Sequence, residues 1–143
     1  MCIRDRVSGL PAFLVAEPGV NSGLMITQYT AASLVGENRR LAQPVVVDNF
    51  ITSGNQEDHL SLGTSAALDL HKSTENLTQI LAIEYLLAAQ AFEFLKTQRF
   101  GQGTGQAWRK LREQVPAFDA DRFLAPDIAK AAAVLRQPSG LLP

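Results

Sequence analysis

Residues 77–95 read "LTQILAIEYLLAAQAFEFL", and this run constrains the fold more than any other part of the chain. Leu77, Ile80, Leu81, Ile83, Leu86, Leu87, Ala91, Phe92 and Leu95 recur at helical spacing. They cover nearly the whole circumference instead of one stripe. A helix that is apolar all round has to be buried, inside a bundle or between copies of the chain. The helical pattern extends over about 58–98, with a soft break at "HKSTEN" (71–76), where Ser73 or Thr74 can start a fresh segment.

The remaining chain reads as shorter helices and loops. "GLPAFLVAEPGVNSG" (9–23) is irregular, and Asn21 or Ser22 can cap a helix running from 24 to about 42. Pro44 ends that helix and Gly36 weakens it. "VVVDNFITSGN" (45–55) has no partner strand and is read as extended loop. The next helix is expected to begin at Glu57 or Asp58, whose charges suit the positive end of its dipole. "GQGTG" (101–105) is read as a flexible link, 108–115 as a short helix, and 128–137 as a closing helix with Pro126 near its start. The expected fold is all-α: a long-helix bundle with two long core helices and two short terminal ones.

Composition excludes several function classes. With 19% charged residues and a net charge of −1, no basic excess points to nucleic acid or to an anionic membrane. No apolar run reaches membrane-spanning length. Cys2 is the only cysteine, so neither an internal disulfide framework nor a cysteine-based zinc site can form. The opening "MCIRDRVS" lacks the apolar stretch of a secretory signal. It does not lead naturally into "GLPAF", and residues 1–8 are read as a foreign leader ahead of the helical portion 9–143.

Chemistry concentrates at "TSGNQEDHL" (52–60). A metal site there is disfavoured: His59 and His71 are twelve residues apart, about 18 Å along a continuous helix. Glu57, Asp58 and His59 are consecutive and point apart. The glycine-rich pieces do not lead into the Lys-Ser/Thr of a phosphate loop, and no nucleophile elbow is present. The plain structural reading is a helix start, with Asn55 as cap. The functional reading is that Glu57, at the mouth of a buried helix, sits in low dielectric where its basicity is tunable. Such a carboxylate could serve as a general base or as the ionic partner of a cationic substrate.

"GLPAFLV…GVNSGLMITQYTAASLVGEN", "TSGNQEDHLSLGTSAA", "ENLTQILAIEYLLAAQAFEF" and "DRFLAPDIAKAAAVL…GLLP" together resemble the histidine branch of the aromatic amino-acid ammonia-lyase family. The likeness runs from about residue 9 to the end and corresponds to the C-terminal part of a larger, mainly helical fold. "NQEDH" favours the histidine-specific members, since the phenylalanine and tyrosine lyases keep the Asn-Gln pair without Glu-Asp-His. The resemblance implies non-oxidative deamination of L-histidine to trans-urocanate and ammonia, the first step of histidine catabolism, in a cytoplasmic homotetramer whose sites are shared between chains. It implies a methylidene-imidazolone electrophile formed from Ala-Ser-Gly. By position, Glu57 matches the family's active-site glutamate near the substrate imidazole. Asn55 and Gln56 match the amide pair lining the site, and Met25 matches a residue facing the substrate side chain. Asp58 and His59 would support the local structure.

Ala-Ser-Gly does not occur in these 143 residues, nor does the segment that supplies the family's catalytic tyrosine and carboxylate-binding arginine. The chain alone is therefore expected to bind no cofactor or metal and to be inactive. Two other readings stand beside this one: a tyrosine or phenylalanine ammonia-lyase or aminomutase of the same family, or a non-catalytic helical association module.

Overall fold

A computed structural model describes residues 9–95 and 100–137. The foreign-leader expectation for residues 1–8 lies outside the described residues. Among the described residues there are four α-helices and no strand: α1 (Met25–Leu41), α2 (Gly63–Glu93), α3 (Gln102–Arg112) and α4 (Ala125–Leu135). The all-α expectation is met. α2 is the axis of the molecule, and its main contacts are with α1 and α4.

The apolar run of 77–95 forms the second half of α2. Ala82, Ile83, Leu86, Leu87 and Ala89 are buried, together with Leu111, Val115, Phe118, Ile128 and Ala131 from the C-terminal third. Each fully buried aliphatic side chain of this size contributes roughly 1.5–3 kcal/mol. The opposite face of α2 is left uncovered by the described residues: Leu77 and Leu81 are 49% and 45% exposed, and Leu70, on the same face, more so. This chain therefore buries only one side of a helix that is apolar on both.

α2 passes through "HKSTEN" without a break, contrary to expectation. The Thr74 and Thr78 hydroxyls donate to the carbonyls of Leu70 and Thr74, each at 2.9 Å, so they bond within the helix instead of interrupting it. Asn76 is 2% exposed. Its Nδ2 donates to Glu37 Oε2 at 2.8 Å and to Asn38 Oδ1 at 2.9 Å, and Asn38 returns a bond to the Ser73 carbonyl. Tertiary partners on α1 thus hold in helical form a segment whose composition favours a turn.

Two other boundaries differ. α3 begins at Gln102, so "GQGTG" is largely the first turn of a helix and not a link. A Cβ at Gly105 would meet Phe100 Cβ at 3.0 Å, so the glycine lets the Phe100 ring approach. Phe100 in turn lies between Phe92 and Trp108, with centroids 4.8 and 5.3 Å away. α4 starts at Ala125, with Pro126 in its first turn as expected. α1 carries no side-chain cap from Asn21 or Ser22.

Gln90 joins three parts of the chain in the core. Its amide nitrogen donates to the carbonyls of Leu14 (3.2 Å) and Phe118 (2.7 Å), and its oxygen accepts from the Phe118 N–H (2.9 Å). Nearby, Glu93 accepts from Arg112 Nε at 2.8 Å and from Trp108 Nε1 at 3.2 Å.

Candidate active site

The stretch "TSGNQEDHL" is a loop, and this corrects the helix-start expectation. α2 begins at Gly63, and its first turn carries no acidic residue. Asn55 caps nothing; it closes a single 3-10 turn, Ser53–Asn55, with a left-handed backbone at φ 68°. Two bonds between the backbones of Thr52 and Glu57, at 2.8 and 3.3 Å, fold the segment back on itself. Asn49 then fixes the loop's exit: its side chain donates to the Leu60 carbonyl at 2.7 Å and accepts from the Leu60 N–H at 3.0 Å. A helix starting at Glu57 would break both sets of bonds.

Five of the seven non-glycine residues with positive φ among the described residues fall in or just beside this loop, between 48 and 62: Asp48, Ser53, Asn55, His59 and Leu62. Asp and Asn tolerate this conformation, but Ser, His and Leu are held in it at a cost of order 1–3 kcal/mol each. Strain gathered in one loop is a feature of binding and catalytic segments, where the surrounding bonds over-determine an otherwise poor conformation.

Asn55, Gln56, Glu57, Asp58 and His59 are all exposed. The shielded, low-dielectric setting expected for Glu57 is therefore not provided by this chain. Their side chains make no hydrogen bond to any other described residue, which leaves two amides and two carboxylates open to an outside group. Met25 lies apart, in the first turn of α1, where it lines an open groove of about 380 Å³ with Phe13, Gln28, Tyr29 and Ala32. The structure thus brings Asn55, Gln56 and Glu57 together and leaves Met25 on a separate element; the amide pair and Glu57 do not line that groove. No group of three His, Cys, Asp or Glu able to hold a metal exists among the described residues. His59 is not on a helix, so the separation argued from a continuous helix does not apply to it. No helix among the described residues is long and apolar enough to cross a membrane.

Sequence reasoning missed two residues that shape this region. Asn49 has no periodic or motif signal beyond being an Asn before a turn. Asp121 bonds the start of α1 from the far end of the chain, a pairing no local pattern could show.

Comparison with known proteins adds to this geometry. The model of the family described as aromatic amino acid lyase matches residues 1–113. Over 130 residues the chain is 52% identical to a histidine ammonia-lyase of Symbiobacterium thermophilum, covering 91% of this chain and 26% of that protein. Among solved structures, histidine ammonia-lyase from Trypanosoma cruzi matches with a TM-score of 0.88 and 39% identity, over 94% of this chain and 26% of that one. Tyrosine aminomutase from Streptomyces globisporus matches with a TM-score of 0.83 and 35% identity, over 89% of this chain and 24% of that one. The chain spans about a quarter of the length of the relatives it matches.

Proposed function

The chain belongs to the aromatic amino acid lyase family, and we propose that it is the C-terminal part of an ammonia-lyase directed at L-histidine, forming one wall of the active site. The observation that carries this reading is the strained loop 52–60, which presents Asn55, Gln56 and Glu57 together, outward and unpaired, in a chain similar over nearly all its length to histidine ammonia-lyases.

The reaction is an elimination: a base takes a β-proton, the Cα–N bond breaks, a carbon–carbon double bond forms, and ammonia leaves with trans-urocanate as the other product. The family's methylidene-imidazolone, supplied by an Ala-Ser-Gly segment outside this chain, would provide an electrophile that captures the substrate and makes the amine a better leaving group. The residues present fit such a group, because the Asn55 and Gln56 side-chain amides can both donate and accept and neither is engaged by another described residue. An ionised Glu57 side chain can accept hydrogen bonds at both carboxylate oxygens. It can hold the substrate imidazole by a ring N–H, pair with its imidazolium, or take a proton from it. Met25 supplies an adaptable apolar contact for the side chain. Water must be excluded by other segments or other copies, consistent with a homotetramer that shares its sites between chains in the cytoplasm.

The test is Glu57→Gln in the complete enzyme carrying this segment, with turnover and thermal stability measured together. A large loss of turnover at unchanged stability is expected; unchanged kinetics would remove Glu57 from the site. A second reading, a tyrosine-directed lyase or aminomutase, draws on the likeness to tyrosine aminomutase. "Glu-Asp-His" after the amide pair counts against it.

A further inference from the structure

We propose that Asp121 is a positioning residue for substrate binding, acting through the first turn of α1 to set Met25. The proposal rests on the reading of Met25 as a substrate-facing residue.

α1 does not cap itself. Leu24 stands at its N-cap position and has no side-chain oxygen to offer. The N–H groups just ahead of the helix are taken instead by the Asp121 carboxylate: Ser22 N–H donates to Oδ2 and Gly23 N–H to Oδ1, each at 2.8 Å. The contact is reciprocal, because Asp121 N–H donates to Asn21 Oδ1 at 3.3 Å. A carboxylate bound bidentately by backbone donors fixes direction as well as distance, and its charge complements the positive end of the helix.

The same turn is fixed from the other side. Leu24 N–H donates to the Phe13 carbonyl at 2.9 Å. Gly23 has φ +60°, and a Cβ there would stand 2.6 Å from the Phe13 oxygen. Gly23 is thus clamped between Phe13 and Asp121, and Met25 follows two residues later. Phe13 and Met25 line the same groove, so a shift of this turn alters the groove directly.

Asp121 is itself anchored. Its neighbour Arg122 donates to the carbonyls of Ala117 and Pro116 and, through Nε, to Asp127 Oδ2, each at 2.9 Å. Asp127 is 6% exposed and lies in α4. The position of Met25 is in this way referred to α4, about a hundred residues downstream.

The experiment is a double-mutant cycle in the complete enzyme, read as KM and kcat for L-histidine. Asp121→Ala is expected to raise KM about five-fold with kcat within about two-fold, because a displaced Met25 weakens binding more than chemistry. Met25→Ala should raise KM by itself, and Asp121→Ala added to it should then change KM by less than about 1.5-fold. A KM increase of equal factor in both backgrounds overturns the proposal, as does an unchanged KM in Asp121→Ala. If Met25→Ala leaves kinetics unchanged, the assignment of Met25 fails and takes this proposal with it, an outcome distinct from additive effects. Should Asp121→Ala not fold, Asp121→Asn, which keeps the shape and one acceptor oxygen, is put through the same cycle with the same criteria.

Discussion

Glu57 works, in this account, from a strained loop, and that changes what its substitution should do. Its side chain is exposed and bonds to no other described residue, so removing its charge should not unsettle the fold. Glu57→Gln in the complete enzyme is expected to lower kcat by at least about a hundred-fold, the usual scale for a lost acid–base or orienting group, while the melting temperature holds. Gly23 behaves oppositely. Its positive φ and the 2.6 Å approach of the Phe13 oxygen leave no room for a methyl group, so Gly23→Ala should cost roughly 1–3 kcal/mol or more in a denaturant titration. Tyr85 gives a pH prediction. Burial raises its phenol above the ordinary 10.0, with the Leu111 backbone and the Arg112 guanidinium acting the other way, and its hydroxyl donates to the Ala107 carbonyl. The unfolded chain therefore loses this proton first, and stability should be complete below pH 10.0 and fall as pH rises beyond it. Tyr85→Phe should flatten that alkaline slope; an unaltered slope would assign it to other groups. At this scale the sequence showed which residues stand together at 55–57, because a motif is local. Asn49 and Asp121 were invisible because their partners lie 11 and about 100 residues away.

Among the elements, helix existence was legible and helix ends were not. The apolar periodicity of 77–95 demands a helix whatever surrounds it, and α2 is that helix. Its start, expected at Glu57 or Asp58, lies five or six residues later at Gly63, because acids after a Gly-Asn pair imitate a capped helix, while Asn49 and the Thr52–Glu57 bonds hold the segment as a loop. The break at "HKSTEN" failed to appear because α1 supplies Asn76 with two partners. The glycines of "GQGTG" look like a link until Phe100 is placed over Gly105. The "HKSTEN" miss is a tertiary contact overriding a local preference; the other two come from side-chain contacts within about a dozen residues that periodicity does not show. Gln90 is the element-scale test. Gln90→Ala strands the Leu14 and Phe118 carbonyls and the Phe118 N–H in the core. It should lower stability by about 3 kcal/mol, seen as a reduced urea midpoint at unchanged m-value. A shift under about 0.5 kcal/mol would show that these groups find other partners.

On the scale of the whole molecule, the described residues leave one face of α2 uncovered. Leu70, Leu77 and Leu81 face outward from the central helix, and Phe123 is 79% exposed. The complete enzyme is expected to cover the outer face of α2 with other copies, so a strictly monomeric species in sedimentation would contradict the account. The isolated 143 residues, which contain no Ala-Ser-Gly, should produce no urocanate from histidine. The most direct test of the central claim is turnover by the complete enzyme carrying this segment, with L-histidine and L-tyrosine supplied separately and product followed by its near-ultraviolet absorption. Release of urocanate from histidine, with little or no reaction of tyrosine, is the predicted result; turnover of tyrosine alone would contradict it.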